Sequence, residues 1–176
     1  MAAAGREVII RELGHAAESI SQIMDPGIIP AGGVSLAYAL PGARSSEDVA
    51  VSKGRQVSLS EDLPAVRMVL TAMRFDPSIR CVGIIKYSCS AVAICEAMML
   101  EICSYNRALE PPGITSIDWG VAFCCEQSEG VPDVIYDTGF KEKEPLIRIL
   151  GENPTQVAAS INRILSRIIN TNLTEE

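Results

Sequence analysis

Apolar residues recur along much of the chain at the three- and four-residue spacing of an amphipathic helix. In the first such segment, Ile9, Leu13 and Ile20 fall on one helical face, ahead of the turn-forming Asp25-Pro26-Gly27. Near the end of the chain, Asn153 and Pro154 have the residue types preferred at a helix N-cap and first turn. The spacing predicts helices over 6–24, 63–75, 90–100, 115–128 and 153–169.

Between these segments lie short apolar runs that are typical of strands. They predict strands at 34–40, 48–52, 55–59, 80–86, 101–105, 132–137 and 146–150. Lys53-Gly54 separates two of them and suits a hairpin turn. The run from 80 to 105 alternates strand, helix and strand, as in a βαβ unit.

Alternating helices and strands indicate an α/β fold, but the early hairpin argues against a purely parallel, doubly wound sheet. We therefore expect a mixed sheet with helices on both faces. With 176 residues, the chain has the length of one ordinary domain. We assign that domain to residues 1–170 and expect the polar tail 171–176 to fray.

Composition narrows the class of protein. A chain with 48% hydrophobic and 21% charged residues is globular, and no apolar run approaches the length of a membrane helix. The net charge of −7 opposes nucleic-acid binding by this chain. The start lacks the pattern of a secretory signal, and six cysteines without metal spacing suit core thiols in a reducing cytoplasm.

Several catalytic classes lack their characteristic residues. His15 is the one histidine, and its position on the first predicted helix favours a structural or surface role over Ser-His-Asp or Cys-His catalysis. The sequence has no C-x-x-C pair, H-E-x-x-H, acidic calcium loop, P-loop or G-x-G-x-x-G. Cys124 and Cys125 are adjacent on a predicted helix and point about 100° apart, so packing is favoured over a disulfide.

A scattered polar set follows the predicted strands, at positions where open α/β sheets collect their ligands. Such a set suits a phosphorylated small molecule, since arginine, lysine and backbone N–H groups hold phosphate against the negative overall charge. No metal ligand is predicted. The candidates for ligand or phosphate binding are Arg55, Lys86, Tyr87, Ser88, Asn106, Arg107, Asp137, Gly139, Lys143 and Arg148.

Several stretches occur in the same order and at close to the same spacing as in the ThiN-type thiamine-phosphate synthase domain, and the resemblance covers nearly the whole chain. The segments "PDVIYD" and "KEPLIRILG" are the most specific, and "SLAYALPGARSSEDVA", "GRQV", "RFDPSIRCVGIIKYS" and "SIDWG" accompany them. The resemblance implies a three-layer α/β/α fold with a mixed, largely antiparallel sheet. It is the fold of class II aldolases and phosphomethylpyrimidine kinase-associated domains.

The resemblance also implies a reaction. Synthases of this family join hydroxymethylpyrimidine diphosphate to a thiazole phosphate, giving thiamine phosphate and diphosphate. By the same resemblance, Asp137 would accept hydrogen bonds from an aminopyrimidine or organise a metal. Lys143 and Arg148 would meet phosphate oxygens. The alternative for this segment is a surface turn held by Asp137 and Lys143, worth at most about 1 kcal/mol if exposed.

The sequence departs from the catalytic pattern of the family. Arg55 is retained, but the glycine-rich loop and the helix-borne histidine that follow it in synthases are missing, and Pro64 lies where that histidine is expected. Phe140-Lys141-Glu142 and Ser35 replace further residues of the pattern. Loss of a positioned acid/base typically lowers a rate by about 10²- to 10⁴-fold, whereas phosphate binding need not suffer equally.

These departures predict a thiamine phosphate- or thiamine diphosphate-binding sensor, catalytically impaired and without a cofactor. Some archaeal transcriptional regulators use a ThiN-type domain in this way. Such a domain is expected to form a homodimer and to reach DNA only through a separate or missing helix-turn-helix domain. The alternative is an active thiamine-phosphate synthase that uses Mg²⁺ with Arg55, Lys86 or Asp137. An aldolase-like activity would require metal-binding histidines, which a single histidine does not supply.

Overall fold

A computed structural model describes residues 2–113 and 117–174. Within them, five α-helices and seven strands follow in the predicted order. The helices are α1 (Ala2–Ser21), α2 (Pro64–Phe75), α3 (Cys89–Ala97), α4 (Trp119–Gln127) and α5 (Pro154–Thr174). The strands are β1 (Ser35–Ala39), β2 (Val49–Lys53), β3 (Gln56–Leu59), β4 (Cys81–Lys86), β5 (Ile102–Ser104), β6 (Val134–Tyr136) and β7 (Leu146–Gly151).

The strands form one seven-stranded sheet in the order β3-β2-β1-β4-β7-β6-β5. Neighbouring strands are antiparallel throughout, except that β5 and β6 are parallel. The predicted hairpin is confirmed, because Lys53 pairs with Gln56 across Gly54, whose φ of 61° suits a glycine in a tight turn.

Helices cover both faces of the sheet, which confirms the predicted three layers. Helices α1, α3 and α5 bury their apolar side chains on one face, and α2 and α4 bury theirs on the other. In α1, the predicted residues Ile9, Leu13 and Ile20 are all buried. Each face of the sheet therefore has its own apolar core, and the site described below lies at one end of the sheet between the two cores.

Helix ends follow the local sequence signals. Asn153 Oδ1 accepts a hydrogen bond from Gln156 N at 2.9 Å, which confirms the predicted N-cap of α5. Asp118 Oδ1 caps α4 in the same way through Val121 N, at 3.0 Å. The prediction of a helix over 115–128 was therefore too long at its start, and Thr115 and Ser116 lie outside the described residues.

One local prediction was wrong in detail, and the fraying of the tail stays a prediction. Helix α5 ends at Thr174, so residues 171–174 belong to it, while 175–176 lie outside the described residues. The two strands of the predicted βαβ unit from 80 to 105, β4 and β5, are not neighbours in the sheet, because β7 and β6 lie between them. The adjacent parallel unit is instead β5–α4–β6.

The six cysteines differ in burial, and four of them lie in the core. All six cysteines are free, and Cys124 and Cys125 pack in the core as predicted. Cys89 is exposed and Cys103 is half-buried, so these two are not core thiols. In the part of the chain that the structure describes, no helix is both long and apolar enough to cross a membrane.

Candidate functional site

The pairing of the strands brings most of the predicted site residues to one end of the sheet. Ser35 is paired with Lys53, Lys86 with Leu146, and Ser104 with Tyr136. The chain segments that follow β2, β4, β5 and β6, and those that precede β1 and β7, consequently meet at this end. We call it the charged end of the sheet, defined by Lys53–Arg55, Lys86–Ser88, Tyr105–Arg107 and Asp137–Pro145.

At its centre, Asp137 and Arg148 form a buried ion pair. Arg148 Nη1 donates to Asp137 Oδ1 at 2.8 Å, and the two side chains are 0% and 1% exposed. Asp137 Oδ2 also accepts from Gly139 N at 2.9 Å, and Oδ1 from Leu146 N at 3.3 Å. The carboxylate thus ties β6, β7 and their connection together.

Tyr105 lies against the other side of the Arg148 guanidinium. Its hydroxyl accepts from Arg148 Nη2 at 2.6 Å, and its ring centroid is 5.1 Å from the guanidinium carbon. Burial raises the pKa of the Tyr105 hydroxyl, and the neighbouring Arg148 acts in the opposite direction. Trp119 packs edge-on against the same ring at 5.9 Å, so α4 holds Tyr105 in position.

Arg107 connects this buried group with the surface. Its Nη1 lies 3.4 Å from both oxygens of Asp137 and donates to Glu144 O at 3.1 Å. Glu110 Oε2 lies 3.7 Å from Arg107 Nε and accepts from Lys143 Nζ at 3.2 Å. The charged connection between β6 and β7 is therefore held by alternating charges from the buried pair outward to solvent.

These contacts change the expected roles of Asp137 and Arg148. Both were predicted to face a ligand, yet both are buried and have their charges paired with each other. Asp137 also does not fit a metal ligand, since both of its oxygens already accept from N–H groups. Among the described residues, no group of three or more His, Cys, Asp or Glu is placed to hold a metal ion.

The segment Lys86–Ser88 lies beside the β6–β7 connection. Tyr87 N donates to Pro145 O at 3.1 Å, and the Tyr87 ring stacks on Tyr136 with centroids 5.6 Å apart. Ser88 Oγ is the N-cap of α3 and accepts from Ala91 N at 2.9 Å. Lys86 is half-buried and has no ion-pair partner among the described residues, so its ammonium group remains available.

Arg55 is exposed in the β2–β3 turn, near the other edge of the sheet. Because neighbouring strands lie about 4.8 Å apart, four strand spacings separate β2 from β6 by about 20 Å. The structure therefore does not bring Arg55 together with Asp137, Arg107 or Lys143. Asn106 is exposed as well, and its Oδ1 caps a short turn through Ala108 N at 3.0 Å.

A small apolar cavity of about 230 Å³ lies beside Arg55. Ile20, Ile29 and Leu36 contribute to its walls. Gly33 and Gly54 also line it, and they approach so closely that a Cβ on Gly33 would overlap the Gly54 backbone. An apolar cavity with cationic groups nearby can take a ligand that has a ring at one end and a phosphate at the other.

The loop 25–29 closes this region and was not predicted as part of a site. Asp25 Oδ1 accepts from three successive amides, those of Gly27, Ile28 and Ile29, at 2.7, 2.9 and 3.0 Å. Ile28 O accepts from Lys86 N at 2.8 Å, which positions the loop between Arg55 and Lys86. The signal in the sequence was Asp25-Pro26-Gly27, which was interpreted only as the end of a helix.

Solved structures with this architecture define the class of fold. YgbL from Escherichia coli, a candidate aldolase, epimerase or decarboxylase, is 15% identical and covers 94% of this chain and 89% of that chain, with a TM-score of 0.57. The C-terminal domain of a phosphomethylpyrimidine kinase is 30% identical and covers 90% of this chain and 99% of that chain, with a TM-score of 0.80. The fold is thus of the kind predicted for class II aldolases and phosphomethylpyrimidine kinase-associated domains.

Sequence comparison identifies the family. Residues 12–163 match the family described as Thiamine-phosphate synthase ThiN, and the chain belongs to that family. The bifunctional thiamine biosynthesis protein ThiDN of Methanocaldococcus jannaschii is 30% identical over 179 residues, which cover 94% of this chain and 42% of that protein. The thiamine-phosphate synthase ThiN of Methanothermobacter thermautotrophicus is 36% identical over 116 residues, or 63% of this chain and 54% of that protein. The chain thus spans about half the length of these relatives.

Proposed function

We propose that this chain is a sensor domain that binds thiamine phosphate or thiamine diphosphate and has little or no synthase activity. One observation carries the proposal. Lys53 and Arg55 flank Gly54, which lines an apolar cavity, and the amide of Lys86 donates to Ile28 O in the adjoining loop; none of these three cationic side chains has a carboxylate partner among the described residues. In place of the histidine that synthases of the family carry after the residues matching Gly54-Arg55, this chain has Pro64. Such a site binds a phosphorylated ring compound in its ground state without assisting bond formation.

Three side chains bear on the loss of an acid/base group. Asp25 lines the cavity, and its Oδ1 accepts from three backbone amides, so we assign it to holding the loop. The one histidine of the sequence, His15, lines a groove with Tyr38 and Arg80. That groove lies at the end of the sheet opposite Lys86, because Tyr38 pairs with Cys81 at the start of β4. Asp137 is the carboxylate at the centre of the charged end, and its charge is paired with Arg148.

The ligand pose follows from the arrangement of charge. The ring of the ligand occupies the cavity beside Gly33 and Gly54, and its phosphate lies between Arg55 and Lys86. β2 and β4 are separated by two strand spacings, or about 10 Å, which a phosphate and two long side chains can bridge. The buried pair of Asp137 and Arg148 supports the β6–β7 connection and does not contact the ligand in this pose.

Calorimetric titration of the chain with thiamine phosphate and thiamine diphosphate tests the proposal. We expect Arg55→Ala to weaken binding by about 10-fold or more, since a charge-assisted hydrogen bond to phosphate is lost. Arg163→Ala removes an equally exposed arginine from α5 and should leave the affinity unchanged. No binding of either ester by a folded chain would overturn the proposal, and equal affinity of Arg55→Ala would remove Arg55 from the site.

Synthase activity is the second candidate, and it is favoured by the name of the Methanothermobacter relative, a thiamine-phosphate synthase. A single-turnover mixture of protein in excess, hydroxymethylpyrimidine diphosphate, thiazole phosphate and Mg²⁺ distinguishes the two. Thiamine phosphate formed well above a protein-free control would make the chain a synthase and exclude the sensor assignment. The residues of the charged end do not form a metal site of their own, so any Mg²⁺ would have to arrive with the diphosphate.

A sensor acts through a partner. We propose that the chain is the ligand-binding part of a transcriptional regulator, works as a homodimer, and reaches DNA through a helix-turn-helix domain on another segment or chain. A two-fold dimer suits a two-fold DNA site. Light scattering on the purified chain, with and without thiamine phosphate, tests the dimer, and a monomer in both conditions would contradict it.

A further inference from the structure

A second charged groove lies at the opposite end of the sheet from Lys86. It has a volume of about 830 Å³ and runs between α2 and the loop that connects β1 with β2. The loop begins just after Ala39, at the end of β1 where Tyr38 pairs with Cys81. None of its lining residues belongs to the charged end of the sheet, so the groove is a separate feature of the molecule.

One face of α2 supplies a wall of this groove. Arg67, Leu70, Thr71 and Arg74 all line it, and their spacing of three, four and seven residues places them on one helical face. The two arginines are therefore about 10 Å apart along the helix axis. Leu70 lies between them, so the wall alternates charge with an apolar surface.

The opposite wall adds a third guanidinium group. Arg44 lines the groove from the loop, together with Ser45 and Ser46. Both Arg44 and Arg74 are exposed, and neither has a carboxylate partner among the described residues. Ser45 makes no side-chain capping hydrogen bond to the short turn that follows it, which leaves a hydroxyl available to a ligand.

The side chain of Arg67 is oriented by Asp62, the one carboxylate among the residues that line the groove. Asp62 accepts from Arg67 Nε and Nη2, both at 3.0 Å, and this fixes the plane of the guanidinium group while Nη1 remains available. Three guanidinium groups against one carboxylate leave two excess positive charges, in a chain whose net charge is −7. Local positive charge in a concave site attracts anions even when the whole protein repels them.

The floor of the groove is apolar. Its accessible apolar surface comes from the half-buried side chains of Ala43 and Leu70, and Val66 and Met73 are buried behind them. Inorganic phosphate alone would leave this surface uncovered. A groove of this volume, lined by three arginines as well as apolar side chains, has the character of a small-molecule site.

We infer that this groove is a binding site for a small phosphorylated ligand with a ring system, of the size and chemistry of a nucleotide. The arginines contact the phosphates, since guanidinium groups pair bidentately with phosphate oxygens, and the ring covers Ala43 and Leu70. The site is independent of the proposed thiamine-ester site and does not rest on it.

The test is an NMR titration of the isotopically labelled chain with inorganic diphosphate and, separately, with adenosine 5′-diphosphate. We expect both to shift signals of residues 42–46 and 66–74, with the nucleotide binding more tightly because only the nucleotide covers the apolar floor. The double variant Arg44→Ala/Arg74→Ala should weaken nucleotide binding by about 10-fold or more, as two charge-assisted contacts are lost.

Two control variants separate this site from its alternatives. Arg163→Ala/Arg167→Ala removes the same charge from an exposed face of α5, and Arg55→Ala alters the thiamine-ester site. We expect both to bind the nucleotide as the parent does. Equal weakening by the α5 pair would mean a nonspecific charge effect, and shifts confined to residues near Arg55 and Lys86 would mean that the groove is not a site. Either result overturns the inference.

A competition experiment with a DNA duplex completes the test, because the phosphates of DNA would bind the same arginines if the groove were a nucleic-acid surface. If a 20-base-pair duplex displaced the nucleotide and bound more tightly, with the same loss in Arg44→Ala/Arg74→Ala, the groove would be a nucleic-acid surface and the small-ligand assignment would be wrong. Displacement of the duplex by the nucleotide, or no duplex binding, would support the assignment. Thermal unfolding of each variant verifies that it is folded.

Discussion

Substituting Asp137 by asparagine tests whether the buried charge network holds the charged end of the sheet together. Asp137 is fully buried and accepts hydrogen bonds on both oxygens, from Arg148 and Leu146 N on one and from Gly139 N on the other. Asparagine has one acceptor oxygen. Whichever way its amide turns, an NH₂ group faces an N–H donor at about the distance of a hydrogen bond, and the Arg148 guanidinium loses its anion.

The magnitude follows from the burial of both groups. Removing one partner of a buried ion pair costs about 3–5 kcal/mol, because the other charge stays buried without compensation. For a chain of this size, 1 kcal/mol corresponds to about 2–4 °C in Tm, so Asp137→Asn should lower Tm by about 6–20 °C. Arg107, which lies 3.4 Å from the same carboxylate, is itself a cation, so it cannot supply the anion that Arg148 loses.

The assay is urea unfolding monitored by circular dichroism, and Asp62→Asn is the matched control. Asp62 also pairs with an arginine through two contacts of 3.0 Å, but its side chain is 68% exposed, so its loss should cost less than about 1 kcal/mol. If Asp137→Asn were as mild as Asp62→Asn, the argument from burial would be refuted.

A double variant isolates the pairing itself. In Asp137→Asn/Arg148→Met, the uncompensated charge is gone, so the loss should be smaller than the sum of the two single losses by about 1 kcal/mol or more. Additive losses would mean that Asp137 and Arg148 act independently, and that Tyr105 and the backbone amides account for the stability of this region.

Three further predictions concern a carboxyl group, a glycine and a thiol. Burial raises the pKa of Asp118, while the hydrogen bond from Val121 N acts to lower it. The stability that this group contributes is therefore full below its pKa in the unfolded chain, about 3.9, and is lost as pH rises through its higher pKa in the folded chain. Asp118→Asn should gain in urea stability relative to the parent between pH 3.5 and pH 7, and a constant difference would contradict this. Gly120→Ala should lower the free energy of unfolding by about 1–3 kcal/mol, because its Cβ would overlap the Tyr105 ring. In Gly14→Ala the nearest atom to the new Cβ is 3.9 Å away, so this variant should be neutral or stabilising by up to about 1 kcal/mol. Equal unfolding free energies for the two variants would refute the steric argument. Native protein should react rapidly with a maleimide at the exposed Cys89 and slowly at Cys95, whose pKa burial raises to about 11, and mass spectrometry that finds Cys95 labelled as fast would contradict the buried position.

Some features of the site were visible in local sequence, and others were not. The run Leu146–Gly151 is almost entirely apolar, so an arginine in its middle signalled a buried charge that needs a partner. The signal was present at Arg148, but the resemblance to phosphate-binding relatives led to its interpretation as a ligand contact. Tyr105 was assigned only to the end of a strand, since nothing in its neighbours along the chain indicates that it packs against a guanidinium group.

Local sequence was enough to predict the order and approximate positions of the helices and strands, the hairpin at Gly54 and the N-cap at Asn153. These are local properties, set by the spacing of apolar residues within one element and by the conformational preferences of a few residues at its ends. The tertiary structure was needed to show that β7 lies beside β4, that Asp137 meets Arg148, and that four strand spacings, about 20 Å, separate the strand before Arg55 from the strand before Asp137. Strand order depends on packing between segments far apart in the chain, and burial of a charge depends on what the whole fold places around it.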